Sequence, residues 1–226
     1  MSDRIETVVL DLAGTTVVDD GLVEEAFARA WDRVRGADDP RRADAVAWVR
    51  ATMGQSKIEV FRHLDDEEGA QEINAAFETA YDELVAEGRN APIPGAEDAI
   101  GALRAQGRRV VLTTGFGRAT AEAIVAALGW TELADLVLTP ADAGRGRPAP
   151  DLNLTAAIRT AASGVAALAV VGDTEADARS GVAAGAGLVV GVLTGSRTES
   201  DLRAAGAHEV LASVAELPAL LERLDR

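Results

Sequence analysis

Residues 8–16 of the 226-residue chain read Val8-Val9-Leu10-Asp11-Leu12-Ala13-Gly14-Thr15-Thr16. Three apolar residues, two of them β-branched, run into an aspartate and are then broken by a glycine. A short, unalternating apolar run of this kind predicts a strand buried on both faces of a parallel sheet. Similar runs follow at Val110-Val111-Leu112, Leu136-Val137-Leu138, Leu168-Ala169-Val170-Val171 and Leu188-Val189-Val190-Gly191-Val192. Helical stretches lie among them at 96–106, 118–128, 152–162 and 176–184, and another covers 214–224. A last short strand follows His208. Strands alternating with helices predict βαβ units and an α/β fold, a parallel sheet covered on both faces.

From about residue 17 to 91 no strand-like run occurs, and helices are predicted at 22–34, 41–51, 57–64 and 72–87. Asp39-Pro40 fits an N-cap followed by a first-turn proline. Ser56-Lys57-Ile58-Glu59 fits a capping box. Pro92-Ile93-Pro94-Gly95 cannot continue a helix and returns the chain to the α/β part. The expected organisation is a discontinuous α/β core, residues 1–16 and 92–226, interrupted by a helical insertion at 17–91.

Composition narrows the function classes. The chain carries 22 basic and 37 acidic residues, a net charge of −15, so a nucleic-acid or anionic-membrane partner lacks the basic face it needs. There is no cysteine, which excludes disulfides, thiolate metal sites and a cysteine nucleophile. No apolar run approaches the roughly 20 residues of a membrane span, and the opening residues lack a signal-peptide layout, so a soluble cytoplasmic protein is expected. Of the 22 basic residues only Lys57 is a lysine. Where arginine is this strongly favoured, a retained lysine is either a chance residue on a solvated helix face or marks a place where a group able to lose its proton is needed.

Ligands of an open parallel sheet bind at the carboxyl ends of its strands. Four segments place polar groups there: Asp11; Thr113-Thr114-Gly115; Gly146-Arg147-Pro148-Ala149-Pro150-Asp151; and Gly172-Asp173-Thr174-Glu175-Ala176-Asp177. Together they supply separated carboxylates, a hydroxyl beside a flexible amide, and a fixed cation. Carboxylate and carbonyl oxygens suit Mg²⁺. Thr114, the Gly115 amide and Arg147 suit phosphoryl oxygens. A strand-end Asp11 can then attack phosphorus and form an aspartyl phosphate. Taken singly, each segment has an ordinary structural reading: Asp11 as a turn residue, and Asp173 and Asp177 as a cap and a helix face.

In order and spacing these residues resemble the haloacid dehalogenase superfamily over nearly the whole chain. The resemblance implies a Rossmann-like core with an inserted helical cap, Mg²⁺, and phosphoryl transfer through Asp11. It implies Mg²⁺ contacts from Asp11, Asp173 and the carbonyl of Ala13, with Asp177 nearby. Ala13 departs from the general pattern, where a second aspartate protonates the leaving oxygen and later activates water. Within the superfamily, the first motif Asp11–Thr16, Thr113-Thr114-Gly115, Gly146–Pro150 and Met53-Gly54-Gln55-Ser56-Lys57-Ile58 with Arg62 and Leu64 are similar to the phosphonoacetaldehyde hydrolase (phosphonatase) family. That resemblance implies that Lys57 forms a Schiff base with a substrate aldehyde, so that carbon leaves phosphorus as an enamine. No leaving oxygen then needs a proton, and an alanine at position 13 is tolerated. With Ser56 as N-cap, Lys57 stands at the positive end of its helix, which favours the neutral amine, with Glu59 opposing.

Val60 and Phe116 depart from that family, which carries histidine and tyrosine there, so the substrate is phosphonoacetaldehyde or a close relative. His63 reads as a partly buried spacer and His208 as structural. The resemblance also implies a homodimer through cap helices, for which Phe27, Ala30, Trp31 and Val34 form a candidate stripe that equally suits a core. The competing functions are a phosphomonoesterase of the same superfamily and a catalytically weak Mg²⁺- or phosphate-binding regulator.

Overall fold

The computed structural model describes residues 4–225. Six parallel strands form one sheet: β1 (Thr7–Asp11), β2 (Arg109–Thr113), β3 (Leu136–Leu138), β4 (Leu168–Gly172), β5 (Leu188–Val192) and β6 (Glu209–Leu211). Their order across the sheet is β3-β2-β1-β4-β5-β6. Side chains alternate between two apolar layers. Val8, Leu10, Val110, Leu112, Ala169 and Val171 enter the larger core, and Val9, Val111, Leu168, Val170 and Val189 the smaller one. Helix α5 (Ala96–Ala105) contributes Ile100 and Leu103 to the first layer; α8 (Asp151–Arg159) contributes Leu152 and Ala156 to the second. Period-two alternation with both faces apolar is why these strands read as continuous hydrophobic runs.

The strand order reverses at β1: the chain builds β2 and β3 on one side, then crosses to β4 on the other. In register, Leu10 stands beside Val171. Asp11 at the end of β1 and Asp173 just past β4 are thereby brought to neighbouring positions, at the switch point where such sheets bind ligands.

Between β1 and α5 stand only helices: α1 (Leu22–Val34), α2 (Arg42–Ala51), α3 (Lys57–Arg62) and α4 (Glu67–Ala86). The two chain crossings that lead in and out lie side by side. Val18 N–H donates to Ala91 O at 2.8 Å, and Ile93 N–H to Thr16 O at 2.9 Å. Aromatic rings tie the helices together: Phe27 and Phe61 lie 5.5 Å apart, Phe61 and Phe77 likewise 5.5 Å. Phe116, from the loop after β2, packs 4.7 Å from Tyr81 of α4 and so joins the helices to the sheet.

Several local expectations change. The helix expected at 72–87 begins at Glu67, because Asp66 caps it by accepting Gly69 N–H at 2.9 Å. The run Asp65–Gly69 reads as a polar turn, yet acidic side chains are favoured in a first helical turn. Regular helix α2 starts at Arg42 rather than 41. Asp39 does accept Arg41 N–H, at 2.7 Å, in the turn ahead of it. The capping box at Ser56 is absent: its side chain makes no cap bond, and Glu59 pairs with Arg62 instead. The segment 214–224 divides into a 3₁₀ turn, Val214–Glu216, and α11 (Leu217–Leu224). His63 is exposed and stacks on Trp48, with ring centroids 3.8 Å apart, so it is not a buried spacer. His208 is structural as expected: its Nδ1 accepts Val189 N–H at 3.1 Å and ties β6 to β5. Phe27, Ala30 and Trp31 are fully buried within the chain's own core, so that stripe does not offer a surface for a homodimer. Among the described residues no helix is long and apolar enough to cross a membrane.

Candidate active site

The turn that follows β1 holds Asp11 in place. Thr16 Oγ1 donates to Asp11 O at 2.9 Å, and Thr16 and Val17 N–H both donate to Leu12 O. Thr15 Oγ1 reaches across to Asp173 Oδ1 at 3.0 Å. Gly14 has φ +88°, and a Cβ there would lie 2.5 Å from Asp173 Oδ2. Only glycine lets the Asp173 carboxylate come this close to the β1 turn.

Asp11, Ala13, Lys57, Thr114, Gly115 and Arg147 all line one small cavity of about 20 Å³. The residues singled out in four distant segments and in the helical insertion therefore meet. Asp11, Asp173 and Asp177 form an acidic triad whose nearest carboxylate oxygens lie within 4.8 Å of one another. Burial, followed by the negative charge of Asp11, pushes the Asp173 carboxyl up to about 7. Hard oxygen donors held this close without full compensation are the donor set a small divalent cation takes.

Arg147 lies under the triad. Its Nη1 pairs with Asp11 Oδ1 at 2.6 Å and also with Asp177 Oδ1. Its Nε and Nη2 are buried with no hydrogen-bond partner among the described residues. Buried guanidinium donors left unpaired are costly unless a ligand satisfies them. Asp177 has a further duty. It closes a capping box on α9 (Glu175–Ala184), taking the N–H and hydroxyl of Thr174, so the sequence reading of it as a cap residue is realised here.

Lys57 comes from the other side. The loop before α3 touches the sheet at two points that require glycine. A Cβ on Gly54, where φ is +83°, would lie 2.2 Å from Thr174 Oγ1; one on Gly115 would lie 2.2 Å from Gln55 O. Lys57 N–H then donates to Gly115 O at 3.0 Å. The side chain is only 5% exposed, its Nζ lies 5.4 Å from the Phe116 ring centroid, and it has no ion-pair partner among the described residues. Burial lowers its pKa to about 8, against the opposing negative charge of Asp19. Burial, not the dipole of a six-residue helix, is thus the main cause of the shift.

Thr114 is buried, and its Oγ1 accepts Phe116 N–H at 3.2 Å, which shapes the loop around Gly115. Two participants escape sequence reasoning. Thr15 fixes Asp173, and half-buried Asp19 accepts Val23 N–H at 3.2 Å. In the sequence Asp19 looks like its neighbour Asp20; only the fold, which half-buries Asp19 and caps Val23 N–H with it, tells them apart.

Comparison with known proteins agrees with this geometry. The family model for haloacid dehalogenase-like hydrolases matches residues 5–185. A phosphonoacetaldehyde hydrolase from Parabacteroides distasonis is 29% identical over 269 aligned positions, covering 98% of this chain and 97% of that protein. One from Bacillus cereus is 32% identical, covering 85% of this chain and 77% of that protein. The crystal structure of a phosphonoacetaldehyde hydrolase-like protein from Oleispira antarctica superposes with TM-score 0.82 at 26% identity, covering 100% of this chain and 94% of that one. The chain belongs to the haloacid dehalogenase-like hydrolases, with phosphonoacetaldehyde hydrolases among its relatives.

Proposed function

We propose that this hydrolase cleaves the C–P bond of a small carbonyl phosphonate, phosphonoacetaldehyde or a close relative, with Mg²⁺ as cofactor. The observation that carries this reading is Lys57: the chain's only lysine, buried, unpaired and pKa-lowered, in one cavity with Asp11 and with Ala13 where a general acid would stand. Residues 17–91 act as a cap that delivers Lys57 to a core formed by 1–16 and 92–226. The paired crossings at Thr16–Val18 and Ala91–Ile93 support that division.

The neutral Lys57 amine adds to the substrate carbonyl and expels water, leaving a protonated imine. Arg147, the Thr114 hydroxyl and the Gly115 amide hold the phosphonate oxygens, and the two unpaired Arg147 donors support that role. Asp11 attacks phosphorus. The C–P bonding pair moves into the imine system, so the carbon leaves as an enamine. Water then hydrolyses the aspartyl phosphate and the imine, and the enamine carbon takes a proton. The sum is one water consumed, one phosphate and one aldehyde released.

Asp11, Asp173 and the Ala13 carbonyl would hold Mg²⁺, with Asp177 alongside anchoring Arg147; the hard-oxygen donor set and the tight cradle at Gly14 fit that ion. Bound there, Mg²⁺ supplies positive charge between Asp11, Asp173 and the phosphoryl oxygens. An alanine at position 13 would cost a phosphomonoesterase about 10²–10⁴ in rate, the contribution of its general acid. The test compares phosphate release from phosphonoacetaldehyde with that from p-nitrophenyl phosphate. Preference for the first is expected; preference for the second reassigns the chain as a phosphomonoesterase.

A further inference from the structure

Lys57 and Phe116 are shared by two cavities. On one side lies the phosphoryl cavity with Asp11 and Arg147. On the other lies a second, larger space of about 130 Å³, bounded by Ile58, Asn74, Pro140 and Ala141 as well as by Lys57 and Phe116. Among its lining residues Lys57 alone is ionisable, and Asn74, whose amide donates to Glu78 at 3.3 Å, is the main polar side chain. The outer space is therefore mostly apolar, with the Glu78 carboxylate at its Asn74–Gly117 edge, and Lys57 borders both spaces.

On the C–P cleavage reading, phosphonoacetaldehyde would leave this space empty. With its phosphonate at Arg147 and its carbonyl carbon on Lys57 Nζ, the molecule ends at that carbon. Only a substituent on the carbonyl carbon would enter the outer cavity. Phe116 offers no hydroxyl there, so nothing on that wall recognises a polar substituent.

We propose that the substrates include 2-oxoalkylphosphonates, ketones whose short alkyl group occupies the outer cavity; this rests on the C–P cleavage reading of the same site. The reaction is R–CO–CH₂–PO₃²⁻ + H₂O → R–CO–CH₃ + HPO₄²⁻. The Lys57 nitrogen bonds to the ketone carbon as its oxygen leaves as water. The P–C pair becomes the enamine while an Asp11 oxygen bonds to phosphorus. One water then opens the aspartyl phosphate and another the imine, and the enamine carbon takes a proton. Each methylene buried in an apolar pocket is worth a factor of about four in transition-state affinity.

Phosphate release is measured with phosphonoacetaldehyde and with 2-oxopropyl-, 2-oxobutyl- and 2-oxopentylphosphonate. Cleavage of the ketones is expected, with kcat/KM rising about two- to fourfold per methylene. Ala141→Phe, at the rim of the outer cavity, should flatten that rise by about tenfold overall and leave phosphonoacetaldehyde within about twofold. Cleavage of the aldehyde alone, a falling series, or an equal loss on both substrate types in Ala141→Phe overturns the ketone proposal while sparing the C–P reading. Cleavage of p-nitrophenyl phosphate with no phosphonate turned over overturns both.

Discussion

An imine-forming lysine must be neutral when it meets the carbonyl, and the structure sets how often that occurs. With a pKa of about 8 rather than the ordinary 10.5, about one Lys57 in eleven is neutral at pH 7, against about one in 3,000 for an exposed lysine. Burial thus raises the reactive fraction about 300-fold. The expected consequence is a kcat/KM for phosphonoacetaldehyde that climbs about tenfold between pH 7 and pH 9 and levels above the inflection. Asp19 is the largest influence opposing that shift, because its negative charge favours the protonated amine. Asp19→Asn keeps an acceptor for Val23 N–H and removes the charge, so the inflection should move below 8 and the relative rate at pH 7 should rise. An ionisation of the substrate would not follow this substitution. Borohydride trapping supplies an independent readout. The two-carbon adduct should map to Lys57, and Lys57→Arg should abolish it and cut turnover by several orders of magnitude. An inflection near 10.5, an inflection unmoved by Asp19→Asn, or normal turnover in Lys57→Arg refutes the argument.

Other substitutions test the remaining parts. Asp11→Asn should eliminate phosphate release while thermal melting shows an intact fold; retained turnover would exclude an aspartyl phosphate. Mg²⁺ should raise the melting temperature by relieving repulsion between Asp11 and Asp173, and Asp173→Ala should remove that response; melting indifferent to Mg²⁺ and EDTA counts against the assigned ligands. Phe61→Ala empties a fully buried position between Phe27 and Phe77, which should cost about 3–5 kcal/mol and lower the melting temperature by about 6–20 °C. A drop of under two degrees would mean that the helices do not share one aromatic core.

The sequence by itself determined the strands, because a parallel strand covered on both faces must be apolar at every position, and Val8–Leu10 or Leu168–Val171 can be nothing else in an α/β chain. It also singled out the candidate site residues that the fold brings together: Asp11, Thr114 and Asp173 at strand ends, Arg147 in the loop before α8, and the single lysine by count. It misplaced features whose cause is not local. The start of α4 was hidden because Asp65–Gly69 reads equally as a turn or as an acidic first helical turn, and only Asp66 in its cap position distinguishes them. The Ser56 capping box does not form: Ser56 lies against Gly146 of the loop before α8, a contact its local sequence does not encode. The Phe27–Trp31 stripe has the same helical period whether it faces a partner or the chain's own core, and the packing of α1 against α4 decided for the core. Tertiary structure alone decided that Lys57 is buried, that Asp19 lies near it, and that Arg147 retains two unpaired donors. Those properties arise from the closing of the helical segment onto the sheet at Gly54 and Gly115, a contact between residues 61 positions apart in the chain. No pattern of spacing within either segment encodes it.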